Sequence, residues 1–340
     1  MKQLQFLSAC LICLWSCVVS AQSDKPTMKA IVVHEYGGPE VLKLDDVPRP
    51  VPKENEILVK VIAAGVNPVD SAARSQKFAQ FLNIKLPAIP GYDVAGVIEK
   101  TGATVTKLKA GDPVYAYIAL DKGGGYAEYA LATEKETSPK PKSLNYVEAA
   151  AVPLVSLTAW QALVDTAKLS AGQAVLIHGG SGGVGSFAIQ IAKARGAKVF
   201  ATASTPNQDL LKQLGADVAI DYTKQKFEDV AKDVDVVLDA VGKDTLARSY
   251  GIVKKGGIIV SLVAQPDQAE LDKHGIRGAP LSVEPNSDEL AEITKLIDER
   301  KIKVIVSQTL PLAEAAKAQT QADTHHTRGK IVLKVAEKPK

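Results

Sequence analysis

The fold can be predicted from one segment, Ala174-Val175-Leu176-Ile177-His178-Gly179-Gly180-Ser181-Gly182-Gly183-Val184-Gly185. Its leading apolar residues predict a buried strand, and the pattern Gly180-x-Gly182-x-x-Gly185 follows directly and opens a helix. Glycines at this spacing allow a tight turn, close approach of the backbone to a pyrophosphate, and close packing of helix on strand. The helix N-terminus adds unpaired N–H groups and a positive dipole. The stretch therefore predicts a dinucleotide-binding loop; the alternative is a glycine-rich connection in another α/β protein.

The residues around and after this loop alternate between apolar strands and helical periods. The predicted strands are residues 175–178, 199–202, 218–220, 234–239 and 258–263, and the predicted helices are residues 184–194, about 208–214 and 287–300, the last with Ser287 as its N-cap. Strands that alternate with helices in this way are typical of βαβ units. We therefore expect an α/β fold with a doubly wound, parallel sheet.

The sequence before this region has a different texture. From residue 28 to about 146 it is rich in strand patterns, notably residues 30–33, 56–61 and 93–98, separated by proline and glycine. This half predicts a small, irregular β-barrel or sandwich. Residues 303–335 return to a strand-like pattern, so we expect the end of the chain to fold back onto the N-terminal domain.

The strand after the loop indicates which dinucleotide binds. An acidic residue about 20 positions beyond the glycines would hold a ribose 2′-hydroxyl and repel a 2′-phosphate. The corresponding segment is Phe200-Ala201-Thr202-Ala203-Ser204-Thr205, which ends without a carboxylate. Ser204 and Thr205 can donate hydrogen bonds to phosphate oxygens, although they can also cap the helix that follows. The sequence favours NADPH over NADH.

Composition excludes several classes of function. The 340 residues are 46% hydrophobic, which is typical of a soluble globular chain, and only 5% aromatic. The 41 basic and 38 acidic residues are scattered, without a block of one sign, so we expect no nucleic-acid partner. The cysteines are Cys10, Cys13 and Cys17. A disulfide framework, a thiolate zinc site and a cysteine nucleophile are therefore excluded from the body of the protein.

The first residues have the pattern of an export signal. Lys2 precedes an apolar run at residues 6–19, and Val19-Ser20-Ala21 offers the small residues of a cleavage site. Cleavage after Ala21 would give an exported, periplasmic protein, and the run is too short to predict a stable membrane span. Two alternatives remain open: a lipoprotein processed at Cys17, and a cytoplasmic chain that begins at Met28.

Short motifs in one order and spacing resemble a known family over about residues 28–335. They are Gly65-Val66-Asn67-Pro68-Val69-Asp70, Gly91-Tyr92-Asp93-Val94-Ala95-Gly96, Gly111-Asp112-Pro113-Val114, Gly123-Gly124-Gly125-Tyr126-Ala127-Glu128-Tyr129, Leu157-Thr158-Ala159-Trp160 and Arg328-Gly329-Lys330-Ile331-Val332-Leu333. The chain resembles the medium-chain dehydrogenases and reductases of the zeta-crystallin and quinone oxidoreductase group. This resemblance implies a GroES-like β-barrel catalytic domain at residues 28–148 with 301–338, a Rossmann NADPH-binding domain at residues 149–300, and a homodimer.

The resemblance also implies chemistry without a metal. The zinc alcohol dehydrogenases of the same superfamily have a cysteine where this chain has Asn67, and a His-Glu pair where it has Tyr92-Asp93. Neither Asn67 nor Tyr92 is a good zinc ligand. Without a Lewis acid to stabilise an alkoxide, hydride delivery to an electron-poor acceptor is the easier reaction. The implied substrate is a small-molecule acceptor, either a quinone or an α,β-unsaturated carbonyl compound.

Roles for individual residues follow from the same resemblance. Asn67 would bind the acceptor carbonyl, and Tyr92 is a candidate donor because the tyrosine that many quinone reductases carry beyond Asn67 is Ala72 here. The implied cofactor-binding residues are Thr158 at the nicotinamide; Ser181, Gly182, Gly183 and Val184 at the pyrophosphate; Ser204 at the 2′-phosphate; Tyr222 on the adenosine side; Val241 and Val263 at strand ends; and His326, Thr327 and Arg328 as a closing contact. Each also has an ordinary structural interpretation as a turn, helix or half-buried residue.

Two other functions stay open at this point. An enoyl-thioester reductase is the nearest enzymatic alternative, although the sequence shows no basic patch for the phosphates of a coenzyme A thioester. A non-catalytic NADPH-binding sensor is the alternative of another class, because of the leader and Ala72.

Overall fold

A computed structural model describes residues 26–337 of the chain. The predicted export signal, residues 1–21, lies outside the described residues. Between residues 26 and 337, no helix has the length and apolar character needed to cross a membrane.

Strands predominate over residues 27–139, and strands alternate with helices over residues 174–334. The strands are β1 (Thr27–Val33), β2 (Leu42–Pro48), β3 (Glu56–Val66), β4 (Asp93–Thr101), β5 (Pro113–Tyr117), β6 (Tyr129–Thr133), β7 (Thr137–Pro139), β8 (Ala174–Ile177), β9 (Lys198–Ala203), β10 (Val218–Asp221), β11 (Val234–Asp239), β12 (Val253–Ser261), β13 (Arg277–Pro280), β14 (Val306–Pro311) and β15 (Lys330–Lys334). The helices are α1 (Gln76–Phe81), α2 (Tyr146–Ala150), α3 (Pro153–Trp160), α4 (Gly183–Ala194), α5 (Gln208–Gln213), α6 (Phe227–Val230), α7 (Lys243–Ser249), α8 (Gln268–His274), α9 (Ser287–Asp298) and α10 (Ala315–Ala322). A 3₁₀ segment, Pro68–Arg74, follows β3, and a π-helical segment, Gln161–Thr166, continues α3.

Strands of the N-terminal half, together with β14 and β15 from the C-terminal part of the chain, form a largely antiparallel sheet in the order β14-β15-β3-β4-β5-β7, beside the β1-β2 hairpin. Strand β3 is long enough to pair with two strands along one edge, β6 over its first half and β15 over its second. The β15 register places Ile331 opposite Val66. The end of the chain therefore returns to the N-terminal sheet as the sequence pattern predicts, and Lys330 lies beside the end of β3.

The second sheet is entirely parallel and has the order β10-β9-β8-β11-β12-β13. In chain order within this sheet the strands run 3-2-1-4-5-6, the doubly wound arrangement. Strand β11 is buried along its whole length, as parallel strands are when helices cover both faces of a sheet. The order reverses between β8 and β11, and ligands of such sheets bind outside the carboxyl ends of the strands at this point.

Helix α9 shows how local sequence positions the helices on the sheet. Leu290, Ile293 and Ile297 recur at helical spacing and are buried, while the opposite face is polar. The predicted cap was wrong by one residue: the side chain of Asn286, not Ser287, accepts the N–H groups of the first turn. Asparagine and serine cap helices about equally well, so the sequence alone did not separate the two neighbours.

Candidate active site

The loop after β8 has backbone contacts that require glycine. A Cβ on Gly185 would lie 2.2 Å from the carbonyl oxygen of Gly179, and Gly179 itself has a φ of +70°. The N–H of Gly180 donates to the carbonyl of Thr202 at 2.8 Å, which fastens the loop to β9. The turn is therefore as tight as the glycine spacing predicts.

The predicted phosphate-binding residues lie together at the N-terminus of α4. The N-cap is Gly182, which has no side chain to occupy the first N–H groups of the helix. Ser181, Gly183 and Val184 are half-buried around it. Free N–H groups at the positive end of a helix fit a pyrophosphate, so this part of the structure suits the predicted cofactor.

Ser204 and Tyr222 follow two paired strands at the same edge of the sheet. Ser204 comes after β9 and Tyr222 after β10, and the last residues of these strands, Ala203 and Asp221, are paired in register. The Ser204 hydroxyl accepts a hydrogen bond from the Asn207 side chain at 3.2 Å and keeps its own hydrogen for a ligand. Tyr222 is 54% exposed. The structure thus brings the two predicted adenosine-side residues together.

Asp221 is a carboxylate at this edge that the sequence reasoning missed. The Thr205 hydroxyl donates to its Oδ2 at 2.6 Å, and the Thr223 hydroxyl donates to its Oδ1 at 2.7 Å. These bonds, led by the one from Thr205, lower the pKa of Asp221, so it stays ionised at neutral pH. The Thr205 hydroxyl therefore donates to Asp221 in this structure. Of the two hydroxyls expected to donate to a phosphate, Ser204 and Thr205, only that of Ser204 keeps its hydrogen for this role.

Val241 and Val263 present apolar surface near the crevice between β8 and β11. Both follow strands of the parallel sheet, β11 and β12, and they are 50% and 55% exposed. Buried Asp239 holds these strand ends together: it accepts the N–H of Val241 at 3.0 Å and the Ser261 hydroxyl at 2.8 Å. Half-exposed valines on a fixed backbone offer a surface that a flat ring can cover.

Thr158 lies on α3, away from open solvent. It is 5% exposed, and its hydroxyl donates to the carbonyl of Leu154 at 2.7 Å. The oxygen can still accept a hydrogen bond. Its role at the nicotinamide stays a prediction.

The segment of His326, Thr327 and Arg328 lies next to the dinucleotide loop. The N–H of Gly329 donates to the carbonyl of Ser181 at 2.8 Å, and Gly329 forms a β-bridge with Gly182. The Thr327 hydroxyl is buried without a protein partner, whereas His326 and Arg328 are exposed. An unsatisfied buried hydroxyl beside the loop is a group that a bound ligand can satisfy.

Asn67 lies at the end of β3, and both ends of its side-chain amide are bonded. Its Nδ2 donates to Asp93 Oδ2 at 2.8 Å, and its Oδ1 accepts from Lys330 Nζ. Lys330 Nζ also donates to the carbonyl of Val66 at 2.6 Å and lies 3.8 Å from Asp93 Oδ2. Asn67, Asp93 and Lys330 are all buried. The predicted acceptor-binding amide is therefore held in a charged, water-excluded cluster.

A second carboxylate anchors the backbone of the same turn. Asp70 Oδ2 accepts the N–H of Asn67 at 2.7 Å and the Tyr126 hydroxyl at 2.6 Å. Arg74, four residues on, donates to Gln319 at 2.7 Å and pairs with Asp323, which fastens the 3₁₀ segment to α10 and the loop after it. The Asn67 turn is thus fixed from the N-terminal and C-terminal parts of the chain at once.

Burial shifts the pKa values of this cluster. It raises the pKa of Asp93 to about 6, although Lys330 and Asn67 act in the opposite direction, and raises the pKa of Asp70 to about 7. Burial lowers the pKa of Lys330, while the nearby Asp93 and Asp70 oppose that shift. Lys330 Nζ lies 3.8 Å from Asp93 Oδ2, and the attraction between an ammonium and a carboxylate at this distance opposes the neutralisation of either group.

Tyr92 is a buried core residue, only 1% exposed, just before β4. Desolvation raises the pKa of its phenol above the usual range, with Asp70 contributing in the same direction. A raised pKa makes the phenol a weaker acid than a solvated tyrosine. The role of Tyr92 as a donor stays a prediction.

The donors around Asn67 do not fit a zinc ion. Zinc in proteins prefers thiolate, imidazole and carboxylate ligands. Here the amide oxygen of Asn67 is bonded to an ammonium group, and both oxygens of Asp93 are bonded, one to Asn67 and one to the N–H of Leu154 at 2.8 Å. Across residues 26–337 no three His, Cys, Asp or Glu side chains are grouped so that they could hold a metal.

Sequence reasoning missed Lys330, Asp70 and Tyr126 as members of this site. In the sequence, Lys330 stands out only as part of a family motif. The signal that links it to Asn67 is the pairing of β15 with β3, across 263 residues of sequence.

Two family models match the chain. The alcohol dehydrogenase GroES-like domain matches residues 53–142, and the zinc-binding dehydrogenase family matches residues 214–333.

Known proteins match over nearly the full length of the chain. It is 41% identical over 327 residues to the NADPH-dependent alkenal/one oxidoreductase, chloroplastic, of Arabidopsis thaliana, covering 93% of this chain and 82% of that protein. It is similar to the solved quinone oxidoreductase from Coxiella burnetii (TM-score 0.85, 37% identity, 92% of this chain and 100% of that one). It is also similar to the Escherichia coli quinone oxidoreductase complexed with NADPH (TM-score 0.82, 30% identity, 90% of this chain and 100% of that one).

These similarities confirm the fold class and the resemblance predicted from the motifs. The boundaries between the two domains, at residues 148/149 and 300/301, stay predictions. The chain belongs to the medium-chain dehydrogenase and reductase family, within its quinone oxidoreductase-like group.

Proposed function

We propose that the protein is an NADPH-dependent oxidoreductase that reduces quinones and α,β-unsaturated carbonyl compounds without zinc. The observation that carries this proposal is the amide of Asn67. Lys330 and Asp93 occupy its oxygen and one of its two Nδ2 hydrogens, which leaves the second hydrogen for a substrate oxygen. The stem of Lys330 also lies against Gly183 in the dinucleotide loop, so one side chain contacts both the Asn67 amide and the loop.

The relatives support this substrate class. The Arabidopsis protein is named as an alkenal/one oxidoreductase, and both solved structures as quinone oxidoreductases, one of them complexed with NADPH. These acceptors have in common a carbonyl group that is conjugated to the carbon attacked.

The residues of this chain supply electrostatic stabilisation rather than a metal. When bound, NADPH supplies a hydride from its nicotinamide ring. Negative charge then develops on the acceptor's carbonyl oxygen, where the remaining N–H of Asn67 can donate a hydrogen bond in a buried, low-dielectric site. Ala72 cannot provide the proton that completes the reaction, so the enolate or hydroquinone anion takes it either from the Tyr92 phenol or from water.

Ser204 is the residue we assign to NADPH selection. Its hydroxyl accepts from Asn207 and retains a hydrogen to donate, and the carboxylate of Asp221, at the end of the neighbouring strand, is bonded to Thr205 and Thr223 and paired with Lys224. A hydroxyl donor in this place fits a 2′-phosphate.

One assay separates this function from its alternatives. The purified protein is titrated with NADPH and NADH and then supplied with a quinone, an enal and an enoyl-coenzyme A thioester while NADPH absorbance is followed. We expect tight NADPH binding and turnover with the quinone or the enal. Turnover with the thioester alone would favour an enoyl-thioester reductase, and binding without any turnover would favour a sensor.

We further propose that residues 1–21 direct export and that cleavage follows Ala21. The support is the charge, apolar run and small residues of that segment. An exported form would need NADPH outside the cytoplasm, so the alternative is a cytoplasmic protein that begins at Met28. N-terminal sequencing of the native protein distinguishes Gln22 from Met28 as the first residue.

We also propose a homodimer. Strand β13 lies at the edge of the parallel sheet, and an edge strand can pair with another chain. Sedimentation of the purified protein at several concentrations tests this: a species of twice the mass of the purified chain, 36.0 kDa for all 340 residues, supports a dimer, and a monomer contradicts it.

A further inference from the structure

Lys330 is a buried cation that crosses from the dinucleotide loop to the acceptor site. It is 4% exposed and is the first residue of β15. Its Nζ bonds to the carbonyl of Val66 and to Asn67 Oδ1. Its Cδ lies 3.0 Å from where a Cβ on Gly183 would be, so the lysine stem packs on the first residue of α4.

The partners of the Asn67 amide determine which way the amide faces. The oxygen and nitrogen of an asparagine side chain have nearly the same shape, so either orientation fits sterically. A lysine ammonium can only donate, and an ionised carboxylate can only accept. Only one orientation satisfies both, with Oδ1 toward Lys330 and Nδ2 toward Asp93.

Asp93 connects the Asn67 amide to α3, whereas Lys330 contacts α4. The second oxygen of Asp93 accepts the N–H of Leu154, in the first turn of α3. Lys330 contacts the start of α4, and Asp93 the start of α3. The amide orientation is therefore fixed relative to both helices.

We propose that Lys330 is a positioning residue for the reduction: it holds the Asn67 amide in the orientation that presents an N–H to the acceptor oxygen. Loss of the ammonium removes the partner of Oδ1 and leaves Asp93 to hold the amide by Nδ2 alone, so the amide is held less firmly and its remaining N–H can tilt away from the acceptor oxygen. The inference rests on the proposed function, because it assigns Lys330 a role in that reaction.

The alternative is a purely structural buried ion pair, and a double-mutant cycle separates the two. Lys330→Met keeps the stem that packs on Gly183 and removes the charge. Asn67→Ala removes the amide. If Lys330 acts through Asn67, its loss has no further effect on hydride transfer once the amide is gone.

The measurements on the full chain are NADPH affinity, the single-turnover rate of NADPH oxidation by an enal, and the melting temperature. We expect Lys330→Met to slow the single turnover about 100-fold, as misplaced catalytic groups do. We expect NADPH affinity to stay within about threefold, and Lys330→Met with Asn67→Ala to be as slow as Asn67→Ala alone. Lys193→Met is the matched control, because Lys193 pairs with Asp217 far along α4 and should leave the rate unchanged.

Two results would overturn the inference. The first is a single-turnover rate of Lys330→Met equal to that of wild type. The second is a double variant in which the rate reductions of Lys330→Met and Asn67→Ala multiply. If Lys330→Met does not fold because Asp93 is left without its cation, Lys330→Met with Asp93→Asn removes both charges. That variant should fold, bind NADPH and remain slow; a wild-type rate would count against the role of Lys330. Absence of turnover in the wild-type protein would instead refute the proposed function itself.

Discussion

The N–H of Gly329 donates to the carbonyl of Ser181 at 2.8 Å, which joins the last loop of the chain to the dinucleotide loop. Gly329 has a φ of +64°, and a Cβ there would lie 2.3 Å from the carbonyl oxygen of Ile305. No other residue fits without moving the backbone. The segment around Gly329 is thus in contact with the predicted cofactor loop although it lies about 150 residues from the glycine motif.

Gly329→Ala should weaken NADPH binding. The backbone must shift to relieve the contact with Ile305, which disturbs the bond to Ser181. We expect the Kd for NADPH, measured by fluorescence titration, to rise about tenfold, which is about 1.4 kcal/mol. Gly111→Ala is the control, because Gly111 also has a positive φ, +91°, but a Cβ there would have no atom within 4 Å. Equal affinity in both variants would count against the coupling.

Ser204→Asp should change the preference between the two dinucleotides. A carboxylate there repels a 2′-phosphate and can hold a 2′-hydroxyl. We expect the ratio of kcat/KM for NADPH to that for NADH to fall at least tenfold, by about 1.4 kcal/mol. Ser170→Asp adds the same charge before β8, at the amino-terminal ends of the strands, whereas Ser204 lies at their carboxyl ends. This control should leave the ratio unchanged. An unchanged ratio in Ser204→Asp would place the phosphate elsewhere.

Asp70→Asn should change how stability depends on pH. The pKa of Asp70 is about 7 in the folded protein, well above its value in an unfolded chain. Between about pH 4 and pH 7 the native state therefore holds a proton that the unfolded state has released, so the free energy of unfolding falls as pH rises.

Urea unfolding at pH 5 and pH 8 measures this effect. We expect wild type to lose about 2 kcal/mol or more relative to Asp70→Asn across this range, since each unit of pKa shift corresponds to about 1.4 kcal/mol. The asparagine can still accept from the N–H of Asn67 and the hydroxyl of Tyr126. Asp112→Asn, before β5, should follow wild type. Parallel pH dependence of wild type and Asp70→Asn would show that Asp70 does not carry this proton.

Local sequence was enough to predict the parallel sheet and the loop. The turn chemistry of Gly180, Gly182 and Gly185 is contained in six residues, and the buried strand before them is continuous in sequence. The helix cap was missed because Asn286 and Ser287 are adjacent and both can cap. Asp221 was missed because it ends β10, one strand beyond β9, at whose end such a carboxylate is expected.

The acceptor site could be predicted only in part. Asn67 and Asp93 stand out in motifs, but the contact of Lys330 with Asn67 depends on the antiparallel pairing of β15 with β3. That pairing brings together residues 263 apart, and no periodicity in the sequence specifies it. The raised pKa of Asp70 likewise results from burial created by distant segments.

A single-turnover experiment, in which an enal or a quinone is mixed with the NADPH-loaded protein, compares wild type with Asn67→Ala and tests the role of the Asn67 amide. We expect wild type to oxidise NADPH and Asn67→Ala to do so about 100-fold to 1000-fold more slowly, at an unchanged Kd for NADPH, because one donor to the developing oxyanion is lost. The same rate in both proteins would refute this role of Asn67, and no oxidation by wild type with any quinone or enal would refute the proposed reduction.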